Sequence, residues 1–217
     1  MNARARVLVT AAALAAAAAP AQAQLGALRR LHPTAGGVVY LARQGSDVEE
    51  ESRTGTWAGV DVAATTGRFV VRLRGMAGPL GGPAGGLDQD VRETVLSVSM
   101  PVRPWLEVGI EGVALRLESE LATTVWRLYG ARVGLVREIG VEGLRARAEL
   151  AVYPLTSVKN ARALNRPMRA EVGVAWASPR WPVEAHFGYR VESIDFEDTN
   201  DLRIAGLVAG LAVRPWR

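Results

Sequence analysis

The stretch Gly143-Leu-Arg-Ala-Arg-Ala-Glu-Leu-Ala-Val-Tyr-Pro154 alternates strictly between two kinds of side chain. Successive side chains of a strand point to opposite faces. One face then carries Leu144, Ala146, Ala148, Leu150 and Val152; the other carries Arg145, Arg147, Glu149, Ala151 and Tyr153. Ala, Arg, Glu and Leu each favour helix. A helix here, however, would put Leu144, Arg147, Ala148 and Ala151 on one side and mix charge into the apolar stripe. Only period two sorts the residues without exception, and Gly143 and Pro154 punctuate the ends of a strand.

The contrast returns twice. Met168, Ala170, Val172, Val174 and Trp176 oppose Arg169, Glu171, Gly173 and Ala175. Val183, Ala185, Phe187, Tyr189 and Val191 oppose Glu184, His186, Gly188, Arg190 and Glu192. An apolar face backed by a face with charges of both signs, over about ten residues each time, is the dyad pattern of a transmembrane β-barrel with a polar lumen.

Working outward from these segments, strands are expected at 37–43, 56–64, 68–77, 91–100, 105–117, 123–137, 143–153, 168–177, 183–194 and 202–213. The fold expected is all-β, an up-and-down antiparallel transmembrane barrel of about ten strands, with eight as the alternative. The connections fall into two alternating classes. Those at 65–67, 101–104, 138–142 and 178–182 are tight. Those at 44–55, 78–90, 154–167 and 195–201 are longer, with 118–122 a brief member of the set. Short periplasmic turns alternating with longer external loops are the asymmetry of outer-membrane barrels. The Gly-Pro-rich run 78–86 reads as a flexible loop, because no Gly-Lys-Ser/Thr follows to make a phosphate cradle.

The N-terminal residues lie outside this scheme. Arg4 and Arg6, an apolar run at 7–19 and the small-x-small triplet Ala21-Gln22-Ala23 make a secretory signal peptide, with the cut expected before Gln24. The domain reading is signal peptide 1–23, periplasmic lead-in 24–35 and barrel 36–217. No later stretch approaches the roughly 20 apolar residues a membrane helix needs. The signal carries two arginines and no acid, so the formal charge of +4 overstates any affinity for nucleic acid, and none is expected as a partner. Only Lys159 accompanies the arginines among the 26 basic residues. With no cysteine, the chain needs no disulfide or thiolate chemistry.

Aromatic residues gather at strand ends. Trp105, Trp176, Trp181, Trp216 and Phe69 fall beside the short turns or the C-terminus, and Trp57, Trp126, Tyr153 and Tyr189 fall toward the longer loops. Two aromatic belts, one per interface, are what a bilayer selects. On these patterns, residues 36–217 resemble the small outer-membrane β-barrels of Gram-negative bacteria. The resemblance implies residence in the outer membrane as a monomer, contact with outer-membrane lipid and lipopolysaccharide, and insertion by the barrel-assembly machinery. Members of that family often end in a strand closing with an aromatic residue, and Trp216 matches loosely, with Pro215 and Arg217 departing from the pattern.

The expected lumen is a network of Asp61, Arg72, Arg74, Glu93, Glu107, Glu111, Arg132, Arg145, Arg147, Glu149, Arg169, Glu171, Glu184, His186, Arg190, Glu192 and Arg203. Acids and arginines nearly match, and arginine–carboxylate pairs suit a buried lattice. Eight strands leave room only for side chains and ten add little, so a plugged interior is expected. The alternatives are a narrow pore for small ions or solutes and a soluble periplasmic lipocalin-like binding barrel. His186 could shuttle protons, yet neither a serine nor an aspartate pair is placed near it, so no catalytic, cofactor or metal residues are expected. Asp195, Glu197, Asp198 and Asp201 could offer oxygen to calcium, but without a cation-loop spacing they read as a solvated loop. The role expected is structural or surface-interacting through the external loops, whose partner the sequence does not name.

Overall fold

The computed structural model describes residues 31–46, 52–66, 68–82, 88–159, 164–196 and 202–214. Ten antiparallel strands follow one another: β1 Leu31–Ser46, β2 Arg53–Thr66, β3 Phe69–Leu80, β4 Gln89–Arg103, β5 Leu106–Glu118, β6 Thr123–Glu138, β7 Leu144–Lys159, β8 Leu164–Ala177, β9 Val183–Phe196 and β10 Leu202–Val213. Each pairs with its neighbours in sequence. β1 closes the ring on β10, from Ala35 opposite Val213 to Ser46 opposite Leu202. Closure gives every strand a hydrogen-bonded neighbour on each side, so no strand is left as an open edge over its full length.

Ten strands form, not eight. Most run further than the sequence pattern indicated. β1 starts at Leu31, which places residues 31–35 in the barrel and not in the lead-in. β7 continues through Pro154 to Lys159 and β8 begins at Leu164, so much of the expected loop 154–167 is strand. Bulges accommodate both prolines. Tyr129 faces Leu155 while Ala131 faces Val152, so two residues of β7 oppose Gly130 alone. On β8 the register likewise slips between Asn165 and Met168, around Pro167. Proline is tolerated at a bulge because no ladder bond is asked of its nitrogen. Gly130 is required there, since a Cβ would lie 1.8 Å from the Val152 carbonyl oxygen. With β1 and β2 also lengthened, the intervals left between strands at this end are 47–52, 81–88, 119–122, 160–163 and 197–201. We call this the loop end. The opposite, turn end contains the β6–β7 connection, whose Gly140 and Gly143 adopt φ of 60° and 77°, the left-handed region in which glycine carries no Cβ penalty.

Leu150, Val152, Val172, Val174, Phe187, Leu207 and Leu211 all face outward and are exposed, while Glu149, Arg169, Glu171, Arg190 and Glu192 point into the bore. A soluble barrel would be arranged the other way. Exposed apolar surface continuous around a ring of strands far exceeds the patches water-soluble monomers carry. The lipocalin-like alternative is at odds with this sidedness.

The aromatic belts differ from expectation. At the turn end Phe69, Trp105, Trp176 and Trp181 are exposed on the outer surface. At the loop end Trp57, Trp126 and Tyr153 are buried inside the barrel. Their strand parity explains this: Trp57 is four residues from Asp61 and Trp126 six from Arg132, hence on the same inward faces. Tyr189 does face out but sits mid-strand, opposite Val172 and Leu207. Trp216 lies outside the described residues.

Candidate functional site

The bore is filled in two zones stacked along the barrel axis. Nearest the loop end, inward side chains are mainly apolar, with the side-chain oxygens of Gln44 and Gln89 buried among them. Trp57, Met76, Leu80, Val91, Leu115, Leu117, Trp126, Leu128, Ile194 and Ile204 belong to one buried cluster drawn from all around the ring. Tyr40 packs edge-on to Trp57, with ring centroids 5.1 Å apart at 83°. The indole nitrogens of Trp57 and Trp126 make no hydrogen bond among the described residues. These two side chains therefore act here as apolar filling. The sequence reading overlooked this zone, although parity signalled it: along β5 the inward face runs Glu107, Gly109, Glu111 and then Val113, Leu115, Leu117.

Beneath the apolar zone lies the charged network. Arg190 on β9 is fully buried and pairs with Glu93 on β4 and with Glu192 on its own strand. Its guanidinium also stands 5.4 Å from the centre of the Tyr40 ring, within the range of a cation–π contact. At the same depth, Glu111 on β5 accepts hydrogen bonds from Tyr153 on β7 and Arg169 on β8. All three carboxylates are thus engaged by arginine, the cation whose planar fork suits buried carboxylate pairs.

The next layer toward the turn end is a continuous lattice. Arg74 on β3 pairs with Asp61 on β2 at 3.0 Å and with Glu171 on β8 at 3.3 Å. Arg72 approaches Asp61 at 3.6 Å and Glu149 on β7 at 3.5 Å. Glu149 also takes Arg132 at 2.7 Å and Arg147 at 3.0 Å. Arg132 reaches Glu107 at 3.5 Å, and Ser99 donates to Glu107 at 3.3 Å. At the rim Glu184 holds Arg145 at 2.9 Å and Arg214 at 2.7 Å.

Two of these contacts span the full bore. In a ring of ten strands, β9 is opposite β4 and β8 opposite β3. Arg190–Glu93 and Arg74–Glu171 therefore tie diametrically opposed walls together, and Arg72–Glu149 crosses nearly as far. Two small voids lie among the described residues. One, between Leu115, Tyr153, Arg169 and Ile194, and another beside His186 and Glu171, each have a volume of about 10 Å³, no more than one water needs.

Of the residues expected in the lumen, Arg203 does not belong. It shares its parity with the exposed Leu207 and Leu211, whereas Leu202, Ile204 and Val208 point inward. β10 has no inward charge to reveal its phase, so alternation was misread there. His186 does face inward, and its ring lies against Gly210, its cross-strand partner. His186 Nε2 makes no hydrogen bond among the described residues. The loop acids Glu197, Asp198 and Asp201 lie outside the described residues, and no cluster of metal-ligating side chains occurs among those described.

No family model matches the chain. No curated protein matches it either. Solved structures do. The outer-membrane protease OmpT from Escherichia coli aligns with a TM-score of 0.51 at 8% identity, covering 84% of this chain and 96% of that one. Neisserial surface protein A gives 0.42 at 14% identity, over 83% and 96% of the two chains. The β domain of the Bordetella autotransporter BrkA gives 0.47 at 12%, over 85% and 99%. At such identities the likeness is one of fold: this chain has the closed antiparallel barrel seen in Gram-negative outer-membrane proteins.

Proposed function

We propose that this protein is a monomeric integral outer-membrane barrel, exported by removal of residues 1–23, whose interior is a permanent seal and not a conduction path, with no catalytic role. The single observation that carries the reading is the pair of cross-bore contacts, Arg190–Glu93 and Arg74–Glu171, lying beneath an apolar zone. A pore needs a continuous water column and commonly an excess of one charge along it. Here carboxylates and arginines neutralise each other, and the zone nearest the loop end is mainly apolar.

The role left to such a body is mechanical and superficial: a rigid wall element that presents its loop end to the outside. The expected loops shrink because the strands extend into them, so any macromolecular partner would meet strand ends such as 155–159 together with the short connections. Loops and rims on a rigid scaffold are where binding is commonly placed. The test is planar-bilayer recording on the mature chain, after heat-modifiable migration and flotation with vesicles have established insertion. Silence across applied voltage is the expected result. Stable unitary openings would make the protein a narrow channel, and failure to insert would remove the membrane reading altogether.

A further inference from the structure

One ladder of the ring stops short. β7 and β8 pair from Leu144 opposite Trp176 to Val152 opposite Met168 and no further, although β7 runs on to Lys159 and β8 begins at Leu164. Beyond that point each strand keeps only its other neighbour. β7 stays on β6 as far as Lys159 opposite Val125, and β8 stays on β9 as far as Leu164 opposite Phe196. The cause is local. Pro154 and Pro167 have no N–H to give, and the bulges beside them bend both strands at the level where the pairing ends. Proline alone does not open a seam. The β2–β3 ladder breaks off at Ala58 opposite Ala77, beside Pro79, yet Thr54 and Gly81 rejoin the strands by exchanging N–H to O bonds of 3.2 and 2.9 Å. Between β7 and β8 no such bond re-forms among the described residues.

Side-chain exposure reflects the same opening. Thr156 lies opposite the buried Leu128 and so on the inward face, yet it is exposed, as are Leu155, Ser157 and Lys159 on the outward face. Residues 155–159 are thus a strand paired on one side only. Alternate residues of such an edge turn their N–H and C=O groups away from the ladder. A row of alternating donors and acceptors is matched by another extended backbone about 4.8 Å away, and a lipid headgroup offers no such row. A second copy of the chain does not fit the place either. Strands of a membrane barrel tilt by about 35–45°, so the β7 strands of two barrels side by side in one membrane cross at roughly twice that angle instead of pairing.

We propose that residues 155–159 of β7 are a docking edge for an extended segment of another polypeptide, which adds there as a strand with an apolar residue facing Leu155 and an acidic one facing Lys159. This rests on the membrane reading above, which puts the loop end outside, and deepens it by naming the class of partner. The alternation sets what the segment carries. Leu155, Ser157 and Lys159 share the outward face. Leu155 is 67% exposed, and Lys159 makes no ion pair among the described residues. An apolar side chain and a carboxylate opposite them complete two favourable cross-strand pairs. Pro154 closes one end of the edge, so the added strand is limited to the stretch from Leu155 to the end of β7 at Lys159.

The test reads amide hydrogen exchange on the refolded mature barrel in lipid vesicles, once flotation and heat-modifiable migration have established insertion. In the free barrel, residues 155–159 should exchange faster than residues 113–117 of β5, which have ladder partners on both sides. The probe is the capped peptide Thr-Glu-Thr-Thr-Thr-Val-Thr, written to run antiparallel to β7, together with two derivatives N-methylated at alternate sets of amides. At roughly ten times its Kd the parent peptide should slow exchange at 155–159 about tenfold. One methylated derivative should do the same and the other should not, because a strand turns only one of its edges to β7. Lys159→Glu should weaken the parent peptide about threefold and favour a peptide with lysine in place of its glutamate. No protection by the parent, protection by both derivatives or by neither, or indifference to Lys159→Glu would overturn the proposal and leave the membrane reading standing. A chain that neither floats nor shows heat-modifiable migration would overturn the membrane reading and the docking edge with it.

Discussion

Arg190 on β9 meets Glu93 on β4 across the full width of the barrel, five strands away in either direction around the ring, with both side chains wholly buried. Such a pair cross-links two walls that no backbone hydrogen bond connects. Desolvating the charges costs nearly what their attraction returns, so the pair adds little net stability, but removing one partner strands the other. Arg190 holds two carboxylates, Glu93 and Glu192. Arg190→Met is therefore expected to destabilise the barrel by about 3–5 kcal/mol in a urea titration of the vesicle-inserted protein. Replacing Glu93 and Glu192 by Leu in the same chain should recover most of that. A triple variant no more stable than Arg190→Met would show that the cost lies in packing against Tyr40 and not in stranded charge.

On the proposed reading the two zones of the interior are seals in series, and this makes a second prediction. Trp57→Ala with Trp126→Ala opens the apolar zone but leaves Arg74–Glu171 spanning the bore below. Arg74→Ala with Glu171→Ala opens the bridge but leaves the indoles above. Neither pair alone should give openings in single-channel recording, whereas the four changes together should. Conductance from either pair alone would show that one zone carries the whole seal.

Much of this was legible from side-chain alternation, because a barrel wall one residue thick sorts every strand residue into in or out. Where charges marked the inward phase, as on β7, β8 and β9, the faces could be assigned without the structure. Where they do not, the phase is ambiguous: charge alone points Arg203 on β10 inward, although the exposed Leu207 and Leu211 share its face. The position of Trp57 and Trp126 near strand ends points to the interface, against a parity that places them with Asp61 and Arg132. Proline misled for a different reason. Pro154 and Pro167 looked like loop boundaries, and only the opposing residues reveal that bulges carry the strands past them. Which carboxylate crosses the bore to which arginine depends on shear around the whole ring, and no single segment encodes that.

The outward face can be tested by substitution at its centre. Ala148 on β7 lies opposite Leu135 and Val172, both exposed on the apolar stripe. Ala148→Arg would put a guanidinium into hydrocarbon near mid-depth, costing about 2–4 kcal/mol in a lipid-refolding titration. Val174→Arg, nearer the turn end, should cost less because its head can reach the interface. Equal and negligible costs at both sites would refute the assignment of this face to lipid.

The last prediction concerns His186 and the glycine beneath it. A Cβ at Gly210 would fall 2.1 Å from His186 Cε1, far inside van der Waals contact, whereas at Gly206 on the same strand it would meet the Leu41 carbonyl oxygen at 1.8 Å. The two glycines thus face obstacles of different stiffness. A ring can turn aside; a strand backbone cannot. Gly210→Ala should cost about 1–3 kcal/mol, the usual penalty for overpacking, and Gly206→Ala should cost more. Because the clash at Gly210 is with one side chain, it should vanish when that side chain does: in a His186→Ala background, Gly210→Ala should be close to neutral, and a double-mutant cycle should return the difference as coupling. Gly206→Ala should keep its full cost in the same background. If Gly210→Ala is as damaging without the imidazole as with it, the glycine is needed for its backbone and His186 is a bystander. If the coupling appears, the histidine fills the lumen, and its ring position is fixed by the absence of a methyl group on the next strand.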